Sequence, residues 1–234
     1  MIWALFPLIA GAMIILSEEE TVEATPSKKR PSPYRFHQRG FFGAPVTVVI
    51  GKTGAGKSSF VNMISGSTLP VGHNGSMTRA LCGVRYSKNG SDVKCIVDTP
   101  GIGEIGTDAD YSKALTDWIR SNSSKIERVL LVLQADAKDY ASQAALLATI
   151  RKITTADIRI VLSQVDKFKP TRATFSKPEW KSLNGSKEPK ALFLGEKMKL
   201  VAKQFNIPKR SVVPVSCEPD QTFNVAAVHN VISS

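Results

Sequence analysis

Eight residues, GKTGAGKS, occupy positions 51–58. Glycines at Gly51, Gly54 and Gly56 let the backbone turn sharply, while exposed amides and the start of a following helix supply positive partial charge. Together they form a phosphate cradle. The run satisfies GxxxxGK followed by Ser or Thr, with a strand predicted before it and a helix after it. Lys57 is expected to reach the β and γ phosphates of a bound nucleotide, the Ser58 hydroxyl to ligate Mg2+, and Ser59 to lie near the α phosphate. Lys52, Thr53 and Ala55 complete the loop. A second run, VKCIVDTPG, ends in Asp98, Thr99, Pro100 and Gly101. A carboxylate at the end of a buried strand beside the loop can hold Mg2+ through water, and the Gly101 amide can bond the γ phosphate. Between the two runs, residues 67–79 are rich in Gly and Ser, lack periodicity and read as a mobile loop. Thr78, close before a predicted edge strand, is expected to complete the metal coordination and sense the γ phosphate; Thr68 is the competitor. Lys57, Thr78 and Gly101 are the candidates for acting on the transferred phosphoryl group.

Such residues need elements that bring distant positions together. Short runs rich in β-branched residues at 46–50, 93–97, 129–133, 158–162 and 212–215 predict buried strands. Helical patterns fall at 58–65, 111–121, 140–153 and 191–205. Their alternation implies βαβ crossovers and a mostly parallel sheet covered on both faces. Residues 80–87 add one strand, antiparallel at the edge. The fold class is α/β in three layers.

The chain has 234 residues, long enough for one large domain and a sizeable core. A composition of 42% hydrophobic and 22% charged residues argues against global disorder and a multi-span membrane protein. The net charge of +11 favours polyanionic partners. Cys82, Cys95 and Cys217 are odd in number and lack CxxC spacing, so they suit a reducing compartment and are expected to be buried small hydrophobes. Residues 1–16, MIWALFPLIAGAMIIL, carry no charged side chain. As a helix they would span roughly 24 Å against a bilayer core of about 30 Å. A membrane anchor is favoured, with a cleaved signal and an apolar docking segment as alternatives. Lys28, Lys29, Arg30, Arg35 and Arg39 follow it, which places the remainder on the cytoplasmic face; Pro26, Pro31 and Pro33 make 17–44 a tether. Residues 45–234 then form the domain, with a basic insert around 167–190. The wider stretch 167–210 holds twelve Lys or Arg against three Glu, with Phe175 and Trp180 interleaved. An anionic membrane surface, RNA and plain solvation all remain open for it.

The phrases GKTGAGKSSFVNMISG, MTRA and DTPGIGE resemble the P-loop GTPases of the translation-factor-related class, within it the Era-like GTPases with septin-like, immunity-related and AIG1-like relatives. They look particularly like bacterial ribosome-binding-type GTPase domains, and the likeness covers about 45–232. It implies a three-layer P-loop NTPase fold of the Ras-like G-domain type, binding GTP or GDP with Mg2+. Ser163, Gln164, Val165 and Asp166 stand where the family carries Asn/Thr-Lys-x-Asp, and Ser216 with Cys217 where it carries Ser-Ala-Lys or Ser-Ala-Leu. The resemblance thus assigns the guanine N1–H and N2–H donors to the Asp166 carboxylate, and the guanine carbonyl oxygen to the Cys217 amide. Gln164 replaces the usual lysine and Ser163 the usual Asn or Thr, so packing over the base and bracing of the phosphate loop are expected to be weaker. Where many relatives have a water-orienting glutamine this chain has Ile102, whose alkyl group cannot hold water. Intrinsic hydrolysis is expected to be slow unless a backbone group, Glu104 or a second molecule positions the water. A homodimer across the nucleotide face would supply that second molecule. Gly54 stands where potassium-stimulated relatives carry Asn, so monovalent-cation activation is not expected. Three readings follow: a membrane-held GTP switch, a GTP-dependent assembly module, and a ribosome- or RNA-associated GTPase.

Overall fold

The computed structural model describes residues 45–71, 81–86, 94–102, 108–167, 189–218 and 224–233. The N-terminal run and tether, Thr78, Glu104, Phe175, Trp180 and most of the basic insert lie outside them.

Among the described residues one sheet forms from β1 (Val46–Gly51), β2 (Cys82–Tyr86), β3 (Lys94–Asp98), β4 (Ile126–Gln134), β5 (Asp157–Ser163) and β6 (Val212–Pro214), in the order β2-β3-β1-β4-β5-β6. The β2–β3 pair at one edge is antiparallel and every other pair is parallel, as the sequence predicts. Strand ends differ from expectation by a few residues at most.

Each central strand is apolar on both faces, so it sorts its side chains by alternation. In β4, Val129, Leu131 and Leu133 join one core while Leu130 and Val132 join the other. The first core is closed by α2 (Asp108–Ser121), α3 (Ala141–Arg151) and α4 (Pro189–Gln204), through Leu115, Ile119, Leu147, Ile150, Leu194 and Val201. The second is closed by α1 (Lys57–Ser65) and α5 (Val225–Ser233), through Phe60, Val61, Ile64, Val228 and Ile232. The result is three layers. Among the described residues no helix is long and apolar enough to cross a membrane.

Helix α5 was not expected from the sequence. In VAAVHNVIS the apolar residues recur at helical spacing, and Val228 and Ile232 seat the helix against α1 in the second core. Its last turn is also tied electrostatically. The Ile232 carbonyl accepts from Arg128 Nη1 at 2.7 Å and from Lys94 Nζ at 3.1 Å, two cations at a helix C-terminus. Arg128, with 5% of its side chain exposed, also pairs through Nε with Asp157 Oδ2 at 3.1 Å. Burial works to raise the Asp157 carboxyl, but hydrogen bonds and charge from Arg159 and Arg128 outweigh it and hold the group below the ordinary carboxylate range.

A depressed carboxylate stabilises the fold above its unfolded-state value of about 4, and that contribution is lost as pH falls through the folded value. Arg128→Met should therefore cost about 2 kcal/mol at pH 7 by chemical denaturation, from lost charged hydrogen bonds. The difference from wild type should shrink below about pH 4.

Candidate nucleotide-binding site

The parallel strands β1, β3, β4 and β5 finish at Gly51, Asp98, Gln134 and Ser163. This carboxyl edge is where open α/β sheets place ligands. Polar burial concentrates there: Lys57 is 6% exposed, and Asp98, Thr99, Ser163 and Ser216 are at most 1% exposed. Groups of this kind persist in an interior only when hydrogen-bonded or charge-compensated.

Residues 51–56 carry the chain from β1 into α1. Gly56 sits at the helix N-cap with φ 84°, a left-handed conformation that a side chain would strain. The Lys57 ammonium folds back across the loop and donates to the Lys52 carbonyl at 3.0 Å. Ser58 Oγ donates to Asp98 Oδ2 at 2.6 Å, joining the two predicted metal ligands across forty positions of sequence. Ser59 is half-buried in the first turn of α1.

The segment after β3 closes on the same loop. The Ile102 amide donates to the Gly51 carbonyl at 3.2 Å, and the Thr53 amide donates to the Ile102 carbonyl at 3.1 Å. Gly101 touches Thr53 so closely that a Cβ on it would fall 2.6 Å from the Thr53 amide nitrogen. Helix α2 fixes the segment from the other side: the Tyr111 hydroxyl donates to the Pro100 carbonyl at 2.6 Å, and Thr99 Oγ1 donates to the Val49 carbonyl at 2.8 Å. The Ile102 side chain is 4% exposed and belongs to the apolar core.

On the other flank, Val165 N donates to the Val215 carbonyl at 3.4 Å, which sets residues 163–166 beside 215–217. Ser216 Oγ donates to Asp166 Oδ1 at 2.9 Å and so aims that carboxylate. Ser163 Oγ donates to the Ala55 carbonyl at 2.7 Å. Gln164 Nε2 donates to the Gly54 carbonyl at 2.7 Å, from a backbone held at φ 55°. Bracing of the loop is therefore present despite the missing lysine. Gln134, which no motif singled out, adds a second donor to the same oxygen at 3.1 Å, and its own carbonyl is held by the Tyr140 hydroxyl at 2.7 Å.

Of the two candidate threonines, Thr68 alone lies among the described residues. Beside it, Asn62 Oδ1 accepts from the Ser67 hydroxyl and the Leu69 amide, which folds that segment back onto α1. The cysteines also depart from expectation, since Cys95 is buried but Cys82 and Cys217 are half-exposed. Burial, then the Asp166 charge, pushes the Cys217 thiol up to about 12; burial raises Cys95 to about 11 against Arg85 and a Val84 hydrogen bond; burial and then Asp98 raise Cys82. In the basic stretch, Lys197 is not a solvated charge. Its ammonium donates to the Ala137 carbonyl at 2.8 Å and lies 5.0 Å over the Tyr140 ring, and burial lowers its pKa against the pull of Asp136.

The family model described as 50S ribosome-binding GTPase matches residues 46–164, just over half of the chain. The chain belongs to this GTPase family. The match ends at Gln164, so Asp166, Ser216 and Cys217 rest on the geometry above. Two Escherichia coli K12 proteins, the uncharacterized YfjP and YkfA, are 32% and 30% identical over 130 residues, 54% of this chain and 44% of each of them. The chain thus spans less than half the length of these curated relatives. Among solved structures, a probable GTP-binding protein EngB shares 14% identity at TM-score 0.58, over 80% of this chain and 96% of its own. Era in complex with MgGDPNP and a piece of 16S ribosomal RNA shares 15% at TM-score 0.59, over 81% of this chain and 55% of its own. At these identities the likeness is one of fold, and the GTPase has that fold throughout its described residues.

Gln164→Ala removes the shorter hydrogen bond to the Gly54 carbonyl. Guanine-nucleotide affinity should fall about fivefold, the equivalent of one net hydrogen bond, by fluorescence titration. Gln164→Lys, which returns the family's donor, should stay near wild type.

Proposed function

We propose that this GTPase is a nucleotide-dependent switch that hydrolyses GTP slowly with Mg2+ and is held at the cytoplasmic face of a membrane by residues 1–16. The observation that carries the reading is the 2.6 Å contact of Ser58 Oγ with Asp98 Oδ2, beside a Lys57 ammonium folded over the same loop. Two hard oxygen donors in contact suit Mg2+, which usually takes one or two protein ligands and fills its octahedron with phosphate oxygens and water. Among the described residues no cluster of three or more His, Cys, Asp or Glu offers a different kind of metal site. Bound there, Mg2+ supplies charge stabilisation to the transferred phosphoryl group.

In this reading Lys57 and the loop amides other than those of Thr53 and Ala55 bind the phosphates, Ser58 ligates the metal directly and Asp98 holds it through water. Gly101 meets the γ phosphate, with Thr78 as the third metal ligand. Asp166 accepts from the guanine edge in the orientation that Ser216 gives it, and the Cys217 amide meets the base carbonyl. Slow hydrolysis follows from Ile102, whose side chain is committed to the core and has no group to orient water. A second copy across the nucleotide face is the route by which the missing group would arrive. The membrane attachment rests on sixteen uncharged positions followed by basic residues. RNA or ribosome binding has weaker support, because Lys197 is already occupied within the fold and Lys199 pairs with Glu196 at 2.6 Å.

Calorimetric titration should give tight GTP and GDP binding, much weaker ATP binding, and none of the three with Lys57→Ala, whose far-ultraviolet circular dichroism stays native. Equal affinity for ATP would defeat the guanine assignment. Turnover alone should lie at about 10⁻⁴–10⁻² s⁻¹, the range of unassisted relatives, and specific activity that rises with protein concentration would mark assistance from a second copy. Deleting residues 1–16 should move the protein from the membrane pellet to the supernatant; an unchanged distribution would remove the tether.

A further inference from the structure

The Thr53 hydroxyl oxygen is shut off from solvent and has no hydrogen-bond partner among the described residues. A closed-off hydroxyl without a partner is costly, and in native proteins it signals a group that the fold leaves for something else. Its location says what that is. Thr53 lies on the phosphate loop in contact with Gly101, the residue assigned to the γ phosphate, and its own amide is already committed to the Ile102 carbonyl. The neighbours cannot serve this position: Gly54 has no side chain, Ala55 offers a buried methyl, Lys52 points to solvent, and Ile102 is packed in the core. Thr47, the other threonine hydroxyl in the same condition, sits at 0% exposure near the start of β1, at the opposite end of the strand from the phosphate loop. Among the described residues only Thr53 combines an unused hydroxyl with the meeting point of the two phosphate-contacting segments.

We infer that the Thr53 hydroxyl donates to a γ-phosphoryl oxygen and thereby separates the triphosphate from the diphosphate state. The inference rests on the nucleotide reading of this loop and deepens it. The hydroxyl lies against the Gly101 backbone, so it gains its acceptor only when a γ-phosphoryl oxygen parts that contact, and a diphosphate has no oxygen to do so. A hydrogen bond to a charged oxygen is stronger than a neutral one, and its donor is partnerless beforehand, so the whole gain appears as selectivity. The arrangement also links stability to nucleotide state: the free protein carries the cost of the closed-off hydroxyl, and GTP relieves it.

Thr53→Val keeps the branched shape and deletes the hydroxyl; Thr53→Ser keeps the hydroxyl. The full chain is titrated with GDP and with a fluorescent non-hydrolysable GTP analogue in Mg2+, alongside thermal unfolding without nucleotide. Thr53→Val should weaken the analogue by about tenfold, leave GDP unchanged and melt no lower than wild type. Thr53→Ser should retain the wild-type ratio, and the γ-phosphorus NMR resonance of the bound analogue should shift only in the valine variant. An unchanged triphosphate-to-diphosphate ratio in Thr53→Val overturns the inference, as does equal loss of both nucleotides. A wild-type chain that binds neither nucleotide overturns the reading beneath it as well.

Discussion

The carbonyl oxygens of Gly51, Lys52, Gly54, Ala55 and Gly56 accept, in turn, from the Ile102 amide, the Lys57 ammonium, the Gln134 and Gln164 side-chain amides, the Ser163 hydroxyl and the Phe60 amide. A peptide group is planar and trans, so its N–H and C=O point in opposite directions. Fixing a carbonyl therefore fixes the direction of the amide in the same peptide group: the Thr53 amide meets the Ile102 carbonyl and the Ala55 amide the Lys52 carbonyl. A loop of glycines has no intrinsic reason to hold that shape, since glycine loses more freedom on ordering than any other residue. The shape is imposed by donors from five other places in the chain: the segment after β3, the end of β4, the end of β5, the segment after β5 and the first turns of α1.

Those donors explain why the sheet order matters. β1 lies between β3 and β4 with β5 beyond, so the strand carrying the loop is flanked by the strands whose ends brace it. Both faces of β1 are apolar, and Val48 and Val49 feed opposite cores. A strand buried on both sides cannot slide without exposing a whole row of side chains, at roughly 25 cal/mol per Å² of apolar surface. Core packing thus fixes the register of Gly51 against Val132 and of Val49 against Asp98, and the loop inherits its position from that register.

Much of this was legible in the sequence because it rests on periodicity and on local motifs. The apolar runs marked the strands, and GKTGAGKS and DTPG marked the loops. What was illegible depends on tertiary placement. Nothing around Gln134 distinguishes it from any polar residue at a strand end; it becomes a brace only because β4 ends beside Gly54. Gln164 was expected to brace the loop less well because it replaces the usual lysine, yet what the Gly54 carbonyl needs is an N–H of sufficient reach, which an amide supplies. Tyr111 was visible as a helix residue but not as the clamp on Pro100. Lys197 counted as surface charge in a tally of basic residues, whereas a helix of mixed polarity hides which of its lysines face inward. The C-terminal helix was legible too, since Val225, Val228 and Ile232 recur at helical spacing, but nine residues make a short pattern that is easily passed over.

The same bracing constrains how the molecule can respond to a γ phosphate. Ile102 is joined to the phosphate loop by two backbone hydrogen bonds and anchored by a side chain in the core. Moving it would break both bonds and expose an isoleucine, a cost of about 1.5–3 kcal/mol for the side chain alone. A ligand shifts an equilibrium only by its differential affinity for the two states. One γ-phosphate contact at Gly101 would be nearly consumed by that cost, so a single such contact does not displace Ile102. Replacing a water-orienting glutamine by isoleucine therefore does more than remove a catalytic group. It converts the residue after Gly101 from a part that moves with the nucleotide into a fixed wall of the site, and leaves discrimination between triphosphate and diphosphate to groups already seated on that wall.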